Sequence, residues 1–482
     1  MRSPAEYLTM IKKRRLDLYH LGEKVTDMTE HPSLSWAAKG LADQYKFMAD
    51  PEHEEILTAA SPLIPQRTDR FLHVFGSVQD LLNRQAQIKL VMSKLGSCAL
   101  KCPGLGGLNA IYSTSYDMDK KLGTSYHERA KEYLKKVQTE NLIIAGMMMD
   151  VKGDRSKRPT QQDPDLYLHM VEERSDGIIV RGAKGHQTGP MLADELVIMP
   201  SFVCRDESEK DYAIAFAIPP ETPGLTYVMQ HNLADGFNMN AEGMDLGNVL
   251  YGCQYGATAL VIFNDVFIPN DRIFMKGEWN YTRTLVTRMG TMARMWQCGC
   301  RPAIFDLLIG AVKLMAEYNG VDKEAHVIDK LTEMSILTET VWGLALASAT
   351  NGKATPSGAF LPDPLLTNVA KLQSTRAFYE LMKIAIDLTG GLIVTVPSMK
   401  DLHHPLVGPL LDKYFKGVAD VPTEHRLRIV RFIQALVGGP VAGALHHSGG
   451  PMQNQKIVIY RGVDFEEKKR HVKALAGISE EK

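Results

Sequence analysis

The chain has 482 residues, with 55 basic against 56 acidic side chains, 45% hydrophobic residues and six cysteines. A net charge of -1 gives no general electrostatic drive toward nucleic acid or an anionic membrane surface, and six thiols are too few for a disulfide scaffold at this length. The start, MRSPAEYLTMIKKRRL, lacks the apolar core of a signal peptide, and apolar runs such as Leu142 to Met149 stop well short of the roughly 20 residues that span a bilayer. The expectation is a cytoplasmic protein of two or three domains, with a small-molecule partner rather than nucleic acid or membrane.

Residues 1–140 read as a helical domain, with apolar residues at three- and four-residue spacing in EYLTMIKKRRLDLYHLG and SVQDLLNRQAQIKLVMSKLG. Proline and glycine punctuate this stretch, most densely in PGLGG at 103–107, which reads as a glycine-rich loop. Residues 141–282 change texture. GIIVRGAKG, ELVIMPSFV, YAIAFAIP and ATALVIFNDVFIP are short, alternating and β-branched, as in a compact β-rich domain. Helical spacing returns over 283–482, in RPAIFDLLIGAVKLMAEYNG, HVIDKLTEMSILTETVWGLALAS and AFYELMKIAIDLTGG. Helical layers interrupted by a β-domain usually hold a cofactor in the crevice where the layers meet.

Four cysteines fall into two pairs. Cys98 and Cys102, in SCALKCPG, are one helical turn apart, and Pro103 biases the second toward a helix end. Cys298 and Cys300 follow in WQCGCRP. Soft thiolates of this kind suit zinc or an iron–sulfur cluster, and the spacing does not choose between them; buried inert thiols are the plainer alternative. Cys204 and Cys253 stand alone and read as packing residues.

Longer segments carry a more specific signal: DVKGDRS at 150–156, DPDLYLHMVEERSDGIIVRGAKGHQTG at 163–189, VIFNDVFIPNDRIF at 261–274, DLLIGAVKLMAEYNG at 306–320 and TGGLIVTVPS at 389–398. Together these resemble the flavoprotein family that joins 4-hydroxybutyryl-CoA dehydratase to the 4-hydroxyphenylacetate 3-hydroxylases, with the dehydratase branch the nearer. The resemblance implies an α+β, acyl-CoA-dehydrogenase-like fold. It has a helical N-terminal domain, a β-barrel-like middle domain and a C-terminal four-helix bundle, assembled as a homotetramer with FAD at subunit contacts. It implies flavin contacts at Gln187 and Thr188, charge and donors from Asp150, Lys152 and Arg155, and close backbone approach at Gly390 and Gly391. It also implies a 4Fe-4S cluster on Cys98, Cys102 and Cys300.

The same resemblance exposes departures. The family's fourth cluster ligand, a histidine seven residues before the last cysteine, is Ala293 here. Cys298 points to nearly the opposite side of a continuous helix from Cys300, so it substitutes only if the helix breaks at Gly299. Two dehydratase glutamates correspond to Thr258 and Ala444, a tyrosine to Gln297 and a lysine to Arg301, while the hydroxylase histidine corresponds to Gly146. Dehydration needs a base together with a Lewis acid or proton donor. The replacement candidates are His446 and His447 as bases and Arg301 as a binder of negative charge. The leading expectation is a flavin enzyme acting on a CoA ester or similarly activated acid by dehydration or isomerisation; an aromatic hydroxylase and a non-catalytic relative are the alternatives.

Overall fold

The computed structural model describes residues 2–96, 98–230 and 257–478, so Cys253 lies outside the described residues. The helices are α1 (Pro4–Lys13), α2 (Leu34–Met48), α3 (Glu54–Leu57), α4 (Val78–Leu95), α5 (Cys102–Leu122) and α6 (Tyr126–Thr139), followed after the β-rich part by α7 (Thr282–Tyr318), α8 (Ala325–Thr350) and α9 (Pro364–Thr389). Shorter helices complete the chain: α10 (Leu392–Thr395), α11 (Met399–Leu402), α12 (Gly408–Tyr414), α13 (Thr423–Val437), α14 (Gly439–His447), α15 (Met452–Gly462) and α16 (Phe465–Leu475). Helix starts follow local chemistry. Ser3 and Glu6 cap α1 reciprocally, Ser77 caps α4 by accepting from the Asp80 amide, and Asp363 caps α9 by accepting from the Leu366 amide.

Of the strands, β1 (Leu18–His20) and β2 (Glu23–Lys24) come early, and a hairpin of β3 (Thr58–Ala60) and β4 (Arg67–Asp69) follows. The central part adds β5 (Ile144–Met147), β6 (His169–Glu173), β7 (Gly177–Thr188), β8 (Glu195–Ile198), β9 (Ile214–Ile218), β10 (Leu225–Met229), β11 (Thr258–Pro269) and β12 (Ile273–Lys276). They form a six-stranded sheet ordered β2-β1-β10-β11-β7-β6 and a four-stranded sheet ordered β12-β9-β8-β5. Neither sheet closes on itself among the described residues, so the barrel-like middle expected from sequence is a pair of open sheets.

Two helical expectations need correction. EYLTMIKKRRLDLYHLG is helix only to Lys13; beyond it the chain extends, and β1 runs parallel to β10, pairing Leu18 with Tyr227. Burial of Leu18 and His20 on either side of exposed Tyr19 is the two-residue period of a half-covered strand. The run PGLGG is not a loop but the first turns of α5.

The C-terminal bundle packs α7, α8 and α9 against one another, with α13 against α7 and α9 and with the N-terminal helices α4 and α5 also against α7. The apolar stretch Thr423–Gly462 has the length and composition of a membrane span. It is interrupted at Gly438 and again over 448–451, giving three helices rather than one.

Candidate functional site

The centre of the molecule is where α7 passes between the N-terminal helices and α9. Close approach of α5 is made possible by its glycines. A Cβ on Gly104 would stand 2.2 Å from the Ile144 carbonyl oxygen, and one on Gly106 would stand 2.0 Å from the Trp296 ring. The glycine run is therefore a packing surface that draws α5 onto β5 and α7. Cys102 opens α5, Cys98 sits in the connection that precedes it, and Cys300 lies on α7.

These three thiols sense one another. Burial raises the Cys98 thiol to about 12 with Cys102 as the next cause, and it raises Cys300 further, with Cys102 and Cys98 both contributing. The Cys102 thiol is also raised by burial, with Arg84 opposing the rise. Arg84 is fully buried on α4, donates from Nη2 to the Cys102 sulfur at 3.1 Å and from Nη1 to Gln87 Oε1 at 2.8 Å, and lies 4.4 Å from the centre of the Phe71 ring. A buried guanidinium aimed at sulfur favours the thiolate form, which is the form that binds metal. Ala293, two turns before Cys300, offers no ligand. α7 runs unbroken through Gly299 and Pro302. Cys298 accordingly faces away, donating to the Arg294 carbonyl at 3.1 Å and packing on Ala345 and Ala370. It is not a substitute ligand. Gly299 serves packing instead, because a Cβ there would stand 2.1 Å from Gln85 Oε1.

The opposite face of α7 is cationic. Arg301, fully buried, donates from Nη1 to Ser374 Oγ at 2.8 Å and to Thr375 Oγ1 at 2.9 Å, and from Nη2 to Ser448 Oγ at 3.2 Å and to the Leu445 carbonyl. Lys371 of α9 is equally buried and donates to the same Thr375 hydroxyl at 2.9 Å. Burial, then the charge of Arg301, lowers the Lys371 ammonium to about 6. One turn before Cys298, Arg294 donates to the Gly449 carbonyl at 3.0 Å and to Asn368 Oδ1 at 2.9 Å. The 445–450 turn is thus pinned to α7 by two arginines and by Gln297, whose Oε1 accepts from Ser448 Oγ at 3.4 Å.

The two candidate histidines separate. His446 is half-buried, with Nδ1 2.7 Å from the Tyr379 hydroxyl, and its proton affinity is lowered by burial, His447, Lys371 and Arg301. His447 is exposed, stacked edge-on against His446 at 4.5 Å. Ala444, the lost-glutamate position, stands one residue before the Leu445 carbonyl that binds Arg301.

On the sheet side, Thr188 ends β7 half-buried and is the register partner of Thr258 on β11, so the two aligned positions are neighbours. Gln187 is buried and its amide donates to the Met149 carbonyl at 3.0 Å and to the Gly185 carbonyl. Asp150 is not open to a ligand: its carboxylate is buried against Lys184 at 2.7 Å and accepts from the Leu168 amide. That pair fastens the end of β5 to β7. Lys152 is half-buried in a left-handed conformation at φ 77, and Arg155 is exposed. Gly390 caps α9 at φ 69, and both Gly390 and Gly391 are exposed with no atom within 4 Å of an added Cβ. They mark the helix end expected from sequence and leave their backbone open.

Residues 3–275 match the model of the 4-hydroxyphenylacetate 3-hydroxylase N-terminal region, and residues 282–477 match that of the C-terminal region. The chain belongs to this family. Among its relatives, 4-hydroxybutyryl-CoA dehydratase/vinylacetyl-CoA-Δ-isomerase of Clostridium aminobutyricum is 38% identical, with 98% of this chain and 99% of that protein aligned. The 4-hydroxyphenylacetate 3-monooxygenase oxygenase component of Thermus thermophilus is 29% identical over 89% of this chain and 87% of that protein. The structure of an oxygen-tolerant archaeal 4-hydroxybutyryl-CoA dehydratase from N. maritimus superimposes with a TM-score of 0.95 at 37% identity, covering 100% of this chain and 96% of that one. A 4-hydroxyphenylacetate 3-monooxygenase oxygenase component complexed with FAD shares the fold at a TM-score of 0.82 and 24% identity, covering 98% of each chain. Within a family of enzymes, this member resembles the dehydratase branch more than the hydroxylases.

Sequence reasoning passed over Arg84, Arg294 and Lys371. A signal existed for two of them. Arg84 falls within the apolar stripe of Leu81, Ile88 and Leu95, and Lys371 shares its helix face with Phe378, Leu381 and Ala385. A charge in register with a buried face marks either a salt bridge or a site.

Proposed function

We propose that this protein is a flavin-dependent enzyme that dehydrates or isomerises an activated acid such as a CoA ester, with FAD and an iron–sulfur cluster as its resident groups. The observation that carries this reading is the placing of Cys102 and Cys300 beside the buried Arg84, with Cys98 next to Cys102. The Arg84 donation to the Cys102 sulfur strengthens when that sulfur is a thiolate bound to a cluster. Bound flavin supplies electron transfer and the cluster a Lewis acid. Cys98, Cys102 and Cys300 would hold the cluster, with no protein ligand from Ala293, and Arg84 fixes the orientation of Cys102. The half-buried Thr188 hydroxyl has no protein partner among the described residues and would face the flavin, beside Gln187, Lys152 and Arg155. Asp150 acts indirectly, by holding the segment that carries Lys152.

Proton movement falls to His446. Tyr379 occupies its Nδ1, so Nε2 is the atom that exchanges a proton, and a lowered pKa keeps the ring neutral and basic near pH 7. Arg301 stays charged and balances negative charge that develops nearby. His447, exposed, supports His446 through ring contact. Exposed apolar side chains over 394–414, with Val394 81%, Leu406 77% and Tyr414 73% exposed, favour assembly beside the open Gly390–Gly391 backbone, in keeping with a homotetramer. Free thiols fit a cytoplasmic location.

The hydroxylase alternative is disfavoured at Gly146. A Cβ there would stand 2.2 Å from the Pro103 carbonyl oxygen, so the site has no room for the histidine of that branch. Anaerobic purification followed by flavin, iron and acid-labile sulfide analysis tests the proposal. Flavin with iron and sulfide is the expected result; flavin-free, iron-free protein overturns it, and turnover that requires dioxygen selects the hydroxylase reading.

A further inference from the structure

The Arg84 guanidinium is wholly buried, and among the described residues no carboxylate forms an ion pair with it. Asp69 acts on it at a distance but is itself held by Lys101, 2.8 Å away, with both side chains buried. The three guanidinium nitrogens are used unequally. Nη1 donates to the neutral Gln87 amide at 2.8 Å and Nη2 to the Cys102 sulfur at 3.1 Å, while Nε is buried with no acceptor among the described residues. A buried cation in this position is costly unless an anion faces it. Arginine, unlike lysine, cannot shed that cost by losing its proton.

The group that Arg84 faces is sulfur. After burial itself, Cys102 acts on Arg84 most strongly, and Cys300 acts on it as well. A second donor reaches the neighbouring thiol. Leu100, buried between Cys98 and Cys102, stands in the left-handed region at φ 62, and its amide donates to the Cys98 sulfur at 3.4 Å. That conformation is strained for a leucine, and such strain is retained where the surrounding structure holds a site in shape. Donors aimed at cysteine sulfur, and positive charge beside it, favour the more electron-rich state of an iron–sulfur cluster and so raise its reduction potential.

We propose that Arg84 sets the reduction potential of the cluster held by Cys98, Cys102 and Cys300, raising it through its charge and the N–H donated to the Cys102 sulfur. The inference rests on the proposed function, in which these cysteines hold a cluster, and gives Arg84 a role that packing alone would not. Arg84 acts through Cys102 and is a positioning residue. No electron transfer during turnover is assigned to it; the inference concerns the balance between two charge states.

The test uses full-length protein purified anaerobically and titrated with titanium(III) citrate at controlled potential, with the reduced cluster followed by electron paramagnetic resonance. Arg84→Met removes the charge and the donors while keeping an apolar stem. It should shift the reduction equilibrium at least about tenfold toward the oxidised form, which is about 59 mV for one electron. Arg84→Lys, which keeps the charge, should shift it less than half as far. Flavin, iron and sulfide analysis shows which variants are loaded. Wild type carrying isotopically labelled arginine nitrogen supplies a second measurement: its reduced cluster should show magnetic coupling to a guanidinium nitrogen, and Arg84→Lys should lose that coupling. If Arg84→Met fails to load, the coupling decides. An unshifted potential in loaded Arg84→Met, an equal shift in Arg84→Lys, or no coupling in wild type overturns the inference and leaves the cluster reading standing. Wild type without iron overturns that reading and this inference with it.

Discussion

The two faces of α7 are built from neighbouring residues and do opposite things. Cys300 looks toward α4 and α5, where Arg84 donates to the Cys102 sulfur and lies close enough to act on Cys300 as well. Cys298, two positions earlier, looks toward α8 and α9, where Arg294, Arg301 and Lys371 meet hydroxyls and carbonyls. About 100° per residue turns side chains two apart to nearly opposite sides, so one tripeptide supplies both walls. The contrast teaches that a cysteine's chemistry here is set by what the helix faces. On one side, a buried guanidinium donates to a cysteine sulfur; on the other, a thiol is kept neutral beside cations held by hydroxyls and carbonyls.

Several substitutions break or sharpen that contrast. The largest effect belongs to Cys102→Ser, which should abolish bound iron and acid-labile sulfide while flavin is retained, read by metal analysis and absorbance. Next is Lys371→Met. The lysine holds its proton less tightly in the folded chain, at about 6, than in the unfolded chain, at roughly 10.4. Below about pH 6 both states are protonated and the folded state bears the full cost of the buried charge. Between the two values the unfolded chain binds the extra proton, so wild-type stability rises with pH. The methionine variant should be more stable by about 1–4 kcal/mol near pH 6, with the gap closing toward pH 10, measured by denaturant unfolding across pH.

Gly106→Ala tests the contact that brings the thiols together. Its new methyl would meet the Trp296 ring at 2.0 Å and should cost about 1–3 kcal/mol, seen as a lower Tm, with reduced iron content because α5 is pushed off α7. Smallest is Cys298→Ala, which removes one buried sulfur and should cost about 1 kcal/mol at most while leaving iron at wild-type content. Iron loss in that variant would contradict the division between the two faces.

Much of this was legible in the sequence. The strands in GIIVRGAKG, ELVIMPSFV, YAIAFAIP and ATALVIFNDVFIP appear as β7, β8, β9 and β11, because two-residue alternation and turn residues act locally. The opposition of Cys298 and Cys300 followed from helix geometry once α7 proved continuous. What failed was PGLGG, where glycine usually means a turn; in α5 it means missing side chains, and only the Trp296 ring and Ile144 carbonyl on other elements reveal that. The role of Asp150 was likewise hidden, since Lys184 lies 34 residues away in sequence and 2.7 Å away in space.

The sequence by itself determined the order of helical and β-rich segments, the family, the cysteines worth watching and the ligand missing at Ala293. Those rest on local periodicity and on residue identity, which need no partner. The tertiary structure decided which charges are buried together. Arg84 on Cys102 joins consecutive helices and Lys371 beside Arg301 joins helices about 70 residues apart, and desolvation acts on a side chain only once other segments have closed over it.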